Sequence, residues 1–138
     1  MDDKLRMLSR VPLFSNLGSR ELGEVGRLTD EIDVPAGQAL TREGQSGGEF
    51  FVILQGSVEV DKGGTVVASL GPGDFLGEIA LIDGGPRTAT ATTTSPARLL
   101  VLARREFNTL LDDFVEIRRS VMNALCDRVR SLSPETPD

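Results

Sequence analysis

An acidic and a basic side chain, Glu78 and Arg87, lie nine residues apart in the sequence, with a glycine-rich turn at residues 84–86 between them. The guanidinium of arginine is a planar fork of donors that suits phosphate oxygens. A carboxylate can accept a hydrogen bond from a sugar hydroxyl. Gly77 precedes the carboxylate and, because it has no Cβ, lets the backbone approach a ligand closely. The stretch 75–91 is therefore interpreted as a site for a small ligand that carries a phosphate and a sugar hydroxyl.

Short elements on both sides must hold these groups in place. Residues 78–82 are apolar after the carboxylate and are expected to form one helical turn. The unpaired amides of that turn, including the amide of Ala80, would point toward the anion. Thr88 follows the arginine and can add its amide and hydroxyl to the same ligand. Residues 88–94 alternate small side chains, which predicts a strand directly after the site.

The middle of the chain has the two-residue period of β-strands. About eight short runs lie between residues 30 and 103, and turns separate them at intervals of roughly 8–12 residues. The continuous apolar run at 50–54 predicts a buried strand, residues 62–64 predict a hairpin turn, and residues 97–103 predict the last strand. This pattern indicates a β-sandwich or barrel.

Helical spacing frames the strands at both ends. Helices are predicted near residues 2–10 and 19–29, and Ser19 is expected to cap the second of them. From Arg104 onward the pattern is helical again, with a break at residues 112–113 where aspartates can cap the next helix. Because the helices are segregated to the two ends, the fold class is predicted to be α+β.

The helix predicted over residues 114–132 carries two adjacent apolar stripes. The stripe that is expected to pack on the strands comprises Phe114, Ile117, Val121 and Leu125. The second stripe comprises Val115, Met122, Val129 and Leu132. Three members of the second stripe are seven residues apart, which is the repeat of a coiled-coil seam. A homodimer through the C-terminal helix is therefore one prediction, although Arg118 interrupts the seam.

Composition limits the function classes. The chain has 138 residues and no histidine, which removes most zinc, iron and copper sites and every catalytic triad with an imidazole base. Its net charge of −6, from 21 acidic and 15 basic residues, disfavours nucleic acid as a direct partner. Cys126, a single cysteine, fits a reducing and hence cytoplasmic compartment. We find no signal peptide and no apolar run that could span a membrane, and we predict no catalytic residue, metal ligand or cofactor.

These observations predict one domain over residues 1–138. Its segments are N-terminal helices at 1–29, strands at 30–103, C-terminal helices at 104–133 and a tail at 134–138.

Two motifs in the sequence resemble the signatures of one known family. Residues 75–82 read F-x-G-E-I-A-L-I and residues 86–90 read P-R-T-A-T, which resembles the phosphate-binding cassette of cyclic nucleotide-binding domains. Residues 44–60 read G-x-x-x-G-x-F-F-V-I-x-x-G-x-V-x-V, which is similar to the family's second signature. The resemblance covers roughly residues 10–132. It implies an eight-stranded antiparallel β-roll, a jelly-roll-like barrel with N-terminal helices and a C-terminal helical lid.

The resemblance also implies roles for individual residues. Arg87 and the amide of Ala80 would hold the ring phosphate, and the carboxylate of Glu78 would accept a hydrogen bond from the ribose 2′-hydroxyl. The base would pack on barrel side chains, and the C-terminal helix would close over it, with Leu125, Arg128 and Val129 as contacts. The implied ligand-binding residues are Val60, Leu70, Gly77, Glu78, Ile79, Ala80, Arg87, Thr88, Ala89 and Arg128.

The implied function is sensing of a cyclic nucleotide, with cyclic AMP favoured. Cyclic GMP stays an alternative, because Thr88 resembles the hydroxyl with which members that prefer cyclic GMP hold guanine. The family's transcription factors continue into a helix-turn-helix, whereas this sequence ends at Asp138. We therefore expect output through an effector protein, a fused domain or a dimer, and Met1 with the short acidic tail favours a small whole protein over an excised domain. A pseudo-sensor that keeps the fold but binds no nucleotide is the competing hypothesis. An enzyme of the cupin type would need histidine ligands that the sequence lacks.

Overall fold

The computed structural model describes residues 3–11 and 13–132, except for the side chains of residues 78, 79, 82, 124, 128, 131 and 132. The described chain begins with α1 (Asp3–Ser9) and α2 (Ser19–Arg27). The two helices pack closely, because a Cβ on Gly26 would lie 2.5 Å from Leu5 Cδ2. The predicted cap of α2 was wrong: Gly18 is the N-cap, and Ser19 is already the first helical residue.

Two four-stranded antiparallel sheets form the centre of the fold. In the described residues, eight strands are present: β1 (Asp30–Val34), β2 (Ala39–Thr41), β3 (Glu49–Gln55), β4 (Val58–Lys62), β5 (Thr65–Leu70), β6 (Phe75–Leu76), β7 (Thr90–Thr93) and β8 (Ala97–Ala103). The strand order is β1-β8-β3-β6 in the first sheet and β2-β7-β4-β5 in the second. The chain changes sheets repeatedly, so the two sheets form a roll rather than a closed barrel. The predicted α+β fold with an antiparallel β-roll is confirmed.

The alternation of β3 explains its unbroken apolar sequence. Phe50 and Val52 face a core between the first sheet and the helices, whereas Phe51 and Ile53 face a second core between the two sheets. A strand that is covered on both faces needs apolar residues at every position. The first core also holds Phe14, whose ring meets that of Phe50 edge to face at 6.2 Å.

Tight turns hold the strands in register. The hairpin between β4 and β5 has two turn residues, Gly63 and Gly64, with φ of 59° and 85°. Positive φ at both positions is the requirement of a type I′ turn, which suits the twist of paired strands.

The strand predicted at 88–94 is shorter than expected and begins at Thr90. The residues before it, 84–89, form an irregular segment that is described with the site.

Two helices follow the last strand, α4 (Arg104–Asp113) and α5 (Val115–Leu132). Phe114 separates them in an extended conformation. The prediction that the aspartates at 112–113 cap the next helix was wrong, because they are the last residues of α4 and α5 begins at Val115. On α5, Ile117 and Val121 are buried in the first core, as predicted for the first stripe. Three members of the second stripe are open to solvent: Val115, Met122 and Val129 are 44%, 62% and 63% exposed.

Candidate functional site

Two glycine-rich loops meet and hold the backbone of Arg87. The amide of Arg87 donates to the carbonyl of Gln45 over 2.9 Å, and the amide of Gly44 donates to the carbonyl of Arg87 over 2.9 Å. An isolated antiparallel bridge between Ser46 and Pro86 extends this pairing. The two sequence motifs, which are about 40 residues apart, are therefore parts of one structure. The loop at 44–48 positions the arginine of the cassette.

The side chain of Arg87 is buried, with 5% of its surface exposed. Its Nη2 donates to the main-chain oxygen of Glu49 over 2.9 Å and lies 3.5 Å from Oε2 of the same residue. Its Nη1 is buried and has no hydrogen-bond partner among the described residues. Burial lowers the pKa of Arg87, and the charge of Glu49 partly offsets that effect. Because arginine keeps its proton even when its pKa falls, the group stays a cation.

An unpaired donor on a buried cation is costly unless an acceptor reaches it. The exposed fraction of the Glu49 side chain is 50%, so this carboxylate neutralises Arg87 from a position in contact with water. The ion pair is long, and no described residue accepts a hydrogen bond from Nη1. The arrangement therefore suits a further anion on the Nη1 side of the guanidinium.

Glycines flank the guanidinium on two sides. A Cβ on Gly47 would lie 2.3 Å from Nε of Arg87, and a Cβ on Gly77 would lie 2.9 Å from its Nη1. Gly77 also has a φ of 91°, in the left-handed region where side chains are strained. Both positions therefore require glycine for space, and the second also requires it for conformation.

A short helix, α3 (Glu78–Asp83), forms one wall of the site. Gly77 is its N-cap and Gly84, with a φ of 68°, ends it by donating to the carbonyl of Ala80 over 2.8 Å. Leu81 is fully buried in the first core and anchors the helix to the sheet. Because the anchor fixes the rotation of the helix, Ala80 is held at the wall of the cavity described next. The predicted helical turn is confirmed.

A cavity of about 240 Å³, here called the ligand cavity, lies beside Arg87. It is lined by Thr41, Val60, Lys62, Leu70, Phe75, Leu76, Gly77, Ala80, Pro86, Arg87, Thr88, Ala89 and Ala91. The structure brings seven of the ten predicted site residues together there: Val60, Leu70, Gly77, Ala80, Arg87, Thr88 and Ala89. The backbones of Glu78 and Ile79 begin α3, and Arg128 belongs to α5. The side chains of these three lie outside the described part of the structure, so their roles stay predictions.

Sequence reasoning missed several wall residues, and cross-strand register explains why they are there. Val60 pairs with Ala91, and Ala91 pairs on its other side with Thr41. Lys62 follows Val60 by two residues, so both face the same side of β4. The period of the strand was a usable signal for Lys62. Nothing local pointed to Thr41 or Ala91, because long-range pairing places them.

Phe75 belongs both to the first core and to the wall of the ligand cavity. Its ring lies 5.8 Å from that of Phe50 in the first core, and it also lines the ligand cavity. The cavity thus has a cationic end at Arg87 and apolar walls from the two sheets. Such an arrangement can hold a small anion with an apolar ring.

The described residues contain neither a metal-binding cluster nor a membrane-spanning helix. No group of three or more histidine, cysteine, aspartate or glutamate side chains there could hold a metal ion. Within the same residues, every helix is too short or too polar to cross a membrane.

Comparisons with known proteins agree with this geometry. The family model described as "Cyclic nucleotide-binding domain" matches residues 31–114. A cyclic nucleotide-gated potassium channel of Rhizobium etli is 37% identical over 123 residues, which are 89% of this chain and 34% of the channel. A cAMP-dependent protein kinase regulatory subunit of Mycosarcoma maydis is 35% identical over 115 residues, 77% of this chain and 22% of that protein. The chain thus spans about a third of the length of the first relative and less than a quarter of the second.

Solved structures share the fold. The N-terminal domain of a transcriptional regulator from Streptomyces coelicolor has a TM-score of 0.84 and 28% identity, with 93% of each chain covered. The regulatory domain of Toxoplasma gondii PKA, crystallised with cAMP, has a TM-score of 0.77 and 32% identity and covers 97% of this chain and 53% of that one. The motifs, the roll and the family match lead to one conclusion: this chain belongs to the cyclic nucleotide-binding domain family and is homologous to cAMP sensors.

Proposed function

We propose that residues 1–138 form one ligand-sensing regulatory domain that binds a cyclic nucleotide, with cyclic AMP as the favoured ligand. The observation that carries the proposal is the buried Nη1 of Arg87, which lies beside the ligand cavity and has no hydrogen-bond partner in the part of the chain that the structure describes. A ring phosphate carries one negative charge and supplies the acceptor that this donor lacks. A charge-assisted hydrogen bond of this kind is worth roughly 1.5–3 kcal/mol.

The remaining walls suit the other parts of a nucleotide. Val60, Leu70 and Ala89 offer apolar surface to the base, and Gly77 lets the main chain lie close to the sugar. Glu78, at the first position of α3, would accept a hydrogen bond from the ribose 2′-hydroxyl.

The output is proposed to be movement of the C-terminal helix. The break at Phe114 provides a joint between α4 and α5, and α5 could close over the base with Arg128 as a contact. Ligand binding would then shift a population between open and closed helices, limited by the difference in affinity between the two states. The receiver would be an effector protein, a fused domain or a second copy of the chain, and the domain itself would carry no catalysis.

Cyclic AMP is favoured because named relatives include a cAMP-dependent kinase regulatory subunit and a PKA regulatory domain crystallised with cAMP. Cyclic GMP is the second candidate, because the exposed Thr88 lines the ligand cavity and its hydroxyl could serve a guanine amino group.

Calorimetric titration with cyclic AMP, cyclic GMP and 5′-AMP tests the proposal. We expect one site per chain for a cyclic nucleotide and much weaker binding of 5′-AMP, which matches cyclic AMP except for the open, doubly charged phosphate. If neither cyclic nucleotide gives heat or a thermal shift at millimolar concentration, the sensor hypothesis fails and the pseudo-sensor hypothesis replaces it.

A further inference from the structure

A second cavity lies on the other side of Arg87 and has no role in the proposed function. Its volume is about 500 Å³, roughly twice that of the ligand cavity. We call it the arginine cavity, defined by Arg42, Gln45, Gly47, Glu49, Arg87 and Arg104 on its walls. It lies between the loop at 44–48, the end of α3 and the start of α4.

The charge of this cavity opposes that of the chain. Three arginines line it, and Glu49 is the one acidic residue among its described lining residues. The protein as a whole carries a net charge of −6. The side chains of Arg42 and Arg104 make no ion pair or hydrogen bond with any described residue and are exposed. A local excess of uncompensated cations attracts anions.

The walls indicate which kind of anion fits. No aromatic side chain is among the described lining residues, so a base would find no ring to stack on. Gly47, Gly48 and Gly84 contribute no side chains, and the side chains of Arg42 and Arg104 are exposed, whereas that of Arg87 is buried. The guanidinium of Arg104 lies against Gly84, because a Cβ there would be 2.7 Å from its Cζ. Arginine forks recognise phosphate oxygens, and several forks around one open space suit several phosphates.

We propose that the arginine cavity is a second anion site that binds an oligophosphate, a chain of two or three phosphates, separately from the ligand cavity. Arg42 and Arg104 are its recognition residues. Arg87 is shared: its Nη1 lies beside Gly77 at the ligand cavity, and its Nε and Nη2 lie beside Gly47 at the arginine cavity.

Because the two sites share one guanidinium, binding at one site is expected to lower the affinity of the other. Two anions on opposite edges of one buried cation repel each other, so each weakens the binding of the other. The coupling rests on the proposed function, whereas the second site itself does not. Because the anions bind in different cavities, the effect must reach a plateau once the arginine cavity is saturated.

Calorimetry with inorganic pyrophosphate tests the site. We expect one site per chain, and we expect Arg42→Ala and Arg104→Ala each to weaken pyrophosphate at least tenfold. Arg98→Ala is the matched control, because Arg98 is a surface arginine paired with Asp33 on β1; it should change nothing. Sodium chloride at equal ionic strength replaces pyrophosphate in a parallel titration. Arg42 is an exposed loop residue, so its variant decides the matter if Arg104→Ala is unstable.

Three outcomes overturn the proposal: no heat with millimolar pyrophosphate, equal affinity in the Arg42→Ala and Arg98→Ala variants, or equal heat from the chloride control. The coupling is measured by titrating cyclic AMP at rising pyrophosphate. A severalfold loss of affinity that levels off supports two cavities, whereas a loss that continues without limit means that both anions compete for the ligand cavity and refutes a separate site. Pyrophosphate binding without any cyclic nucleotide binding would leave the second site standing and refute only the sensor function.

Discussion

Gly47 leaves the space that the guanidinium of Arg87 occupies. A Cβ at position 47 would lie 2.3 Å from Nε, 2.8 Å from Cζ and 2.8 Å from Nη2 of the arginine. Real contacts of this type are never so short, so any side chain at 47 must move the guanidinium. The loop at 44–48 thus determines the position of the arginine through its backbone pairing and through the absence of a side chain.

Gly47→Ala is expected to weaken cyclic nucleotide binding at least tenfold, or roughly 1.4 kcal/mol, because the displaced guanidinium no longer presents Nη1 to the ligand cavity. Gly71→Ala is the control, since a Cβ there meets nothing within 4 Å and its φ is not positive. Calorimetry with cyclic AMP measures both variants. Equal affinity in the two would mean that the arginine tolerates displacement, which contradicts the proposed role of Gly47.

Gly77→Ala should reduce both stability and ligand affinity. The φ of 91° costs an alanine roughly 1–2 kcal/mol, and its Cβ would lie 2.6 Å from the carbonyl oxygen of Glu49. Gly73→Ala is closely matched, because Gly73 has a φ of 92° and open space around its Cβ position. Urea unfolding separates the effects: both variants lose the conformational part, and Gly77→Ala loses more. A similar loss in both would show that close packing at 77 contributes nothing.

Arg87→Ala should weaken cyclic AMP at least tenfold, roughly 1.4 kcal/mol, while the roll still folds. The variant loses the proposed phosphate contact. It should still fold because the side chain of Glu49, which loses its partner, is 50% exposed and therefore stays hydrated. Calorimetry gives the affinity, circular dichroism checks the fold, and Arg98→Ala serves as the surface-arginine control. Unchanged affinity in a folded Arg87→Ala variant would place the phosphate elsewhere.

Thr88→Ala tests which base the domain prefers. If the hydroxyl of Thr88 serves a guanine amino group, its removal should weaken cyclic GMP by about 1 kcal/mol, or roughly fivefold, and should change cyclic AMP much less. Competition between the two nucleotides on the wild type and the variant gives the ratio directly. Equal losses for both would assign the hydroxyl to the phosphate, which the two ligands share.

Met122→Asp tests the second stripe of α5 as a dimer seam. Met122 is 62% exposed with apolar neighbours seven residues away on either side, so a charge there should prevent burial against a second copy. Light scattering with and without cyclic AMP is expected to show a dimer that Met122→Asp dissociates and that Asn123→Asp, an exposed neighbour outside the stripe, does not. A monomeric wild type under both conditions would refute the seam.

Local sequence patterns were sufficient to predict where several helices and strands lie in the chain. The last strand was predicted at 97–103 and occupies those residues, because its apolar run and flanking turns are local signals. The helical turn after Gly77 and the hairpin at 62–64 were predicted for the same reason. The failure at Ser19 has a local cause too: Gly18 takes the capping conformation one residue earlier.

The sequence by itself also indicated the family and seven residues of the cavity wall. Six of the seven lie in the two contiguous motifs, and Leu70 lies on a strand that the two-residue period predicts. The tertiary structure decided what touches Arg87. Gly47 and Glu49 lie 38 or more residues before it in the chain, and Thr41 and Ala91 meet only through strand register. Such contacts depend on how distant segments pack, and a packing arrangement leaves no periodic signal in the segments themselves. For that reason the chemistry of the site was readable in advance. The second cavity, and the Nη1 that lacks a partner among the described residues, became visible only in three dimensions.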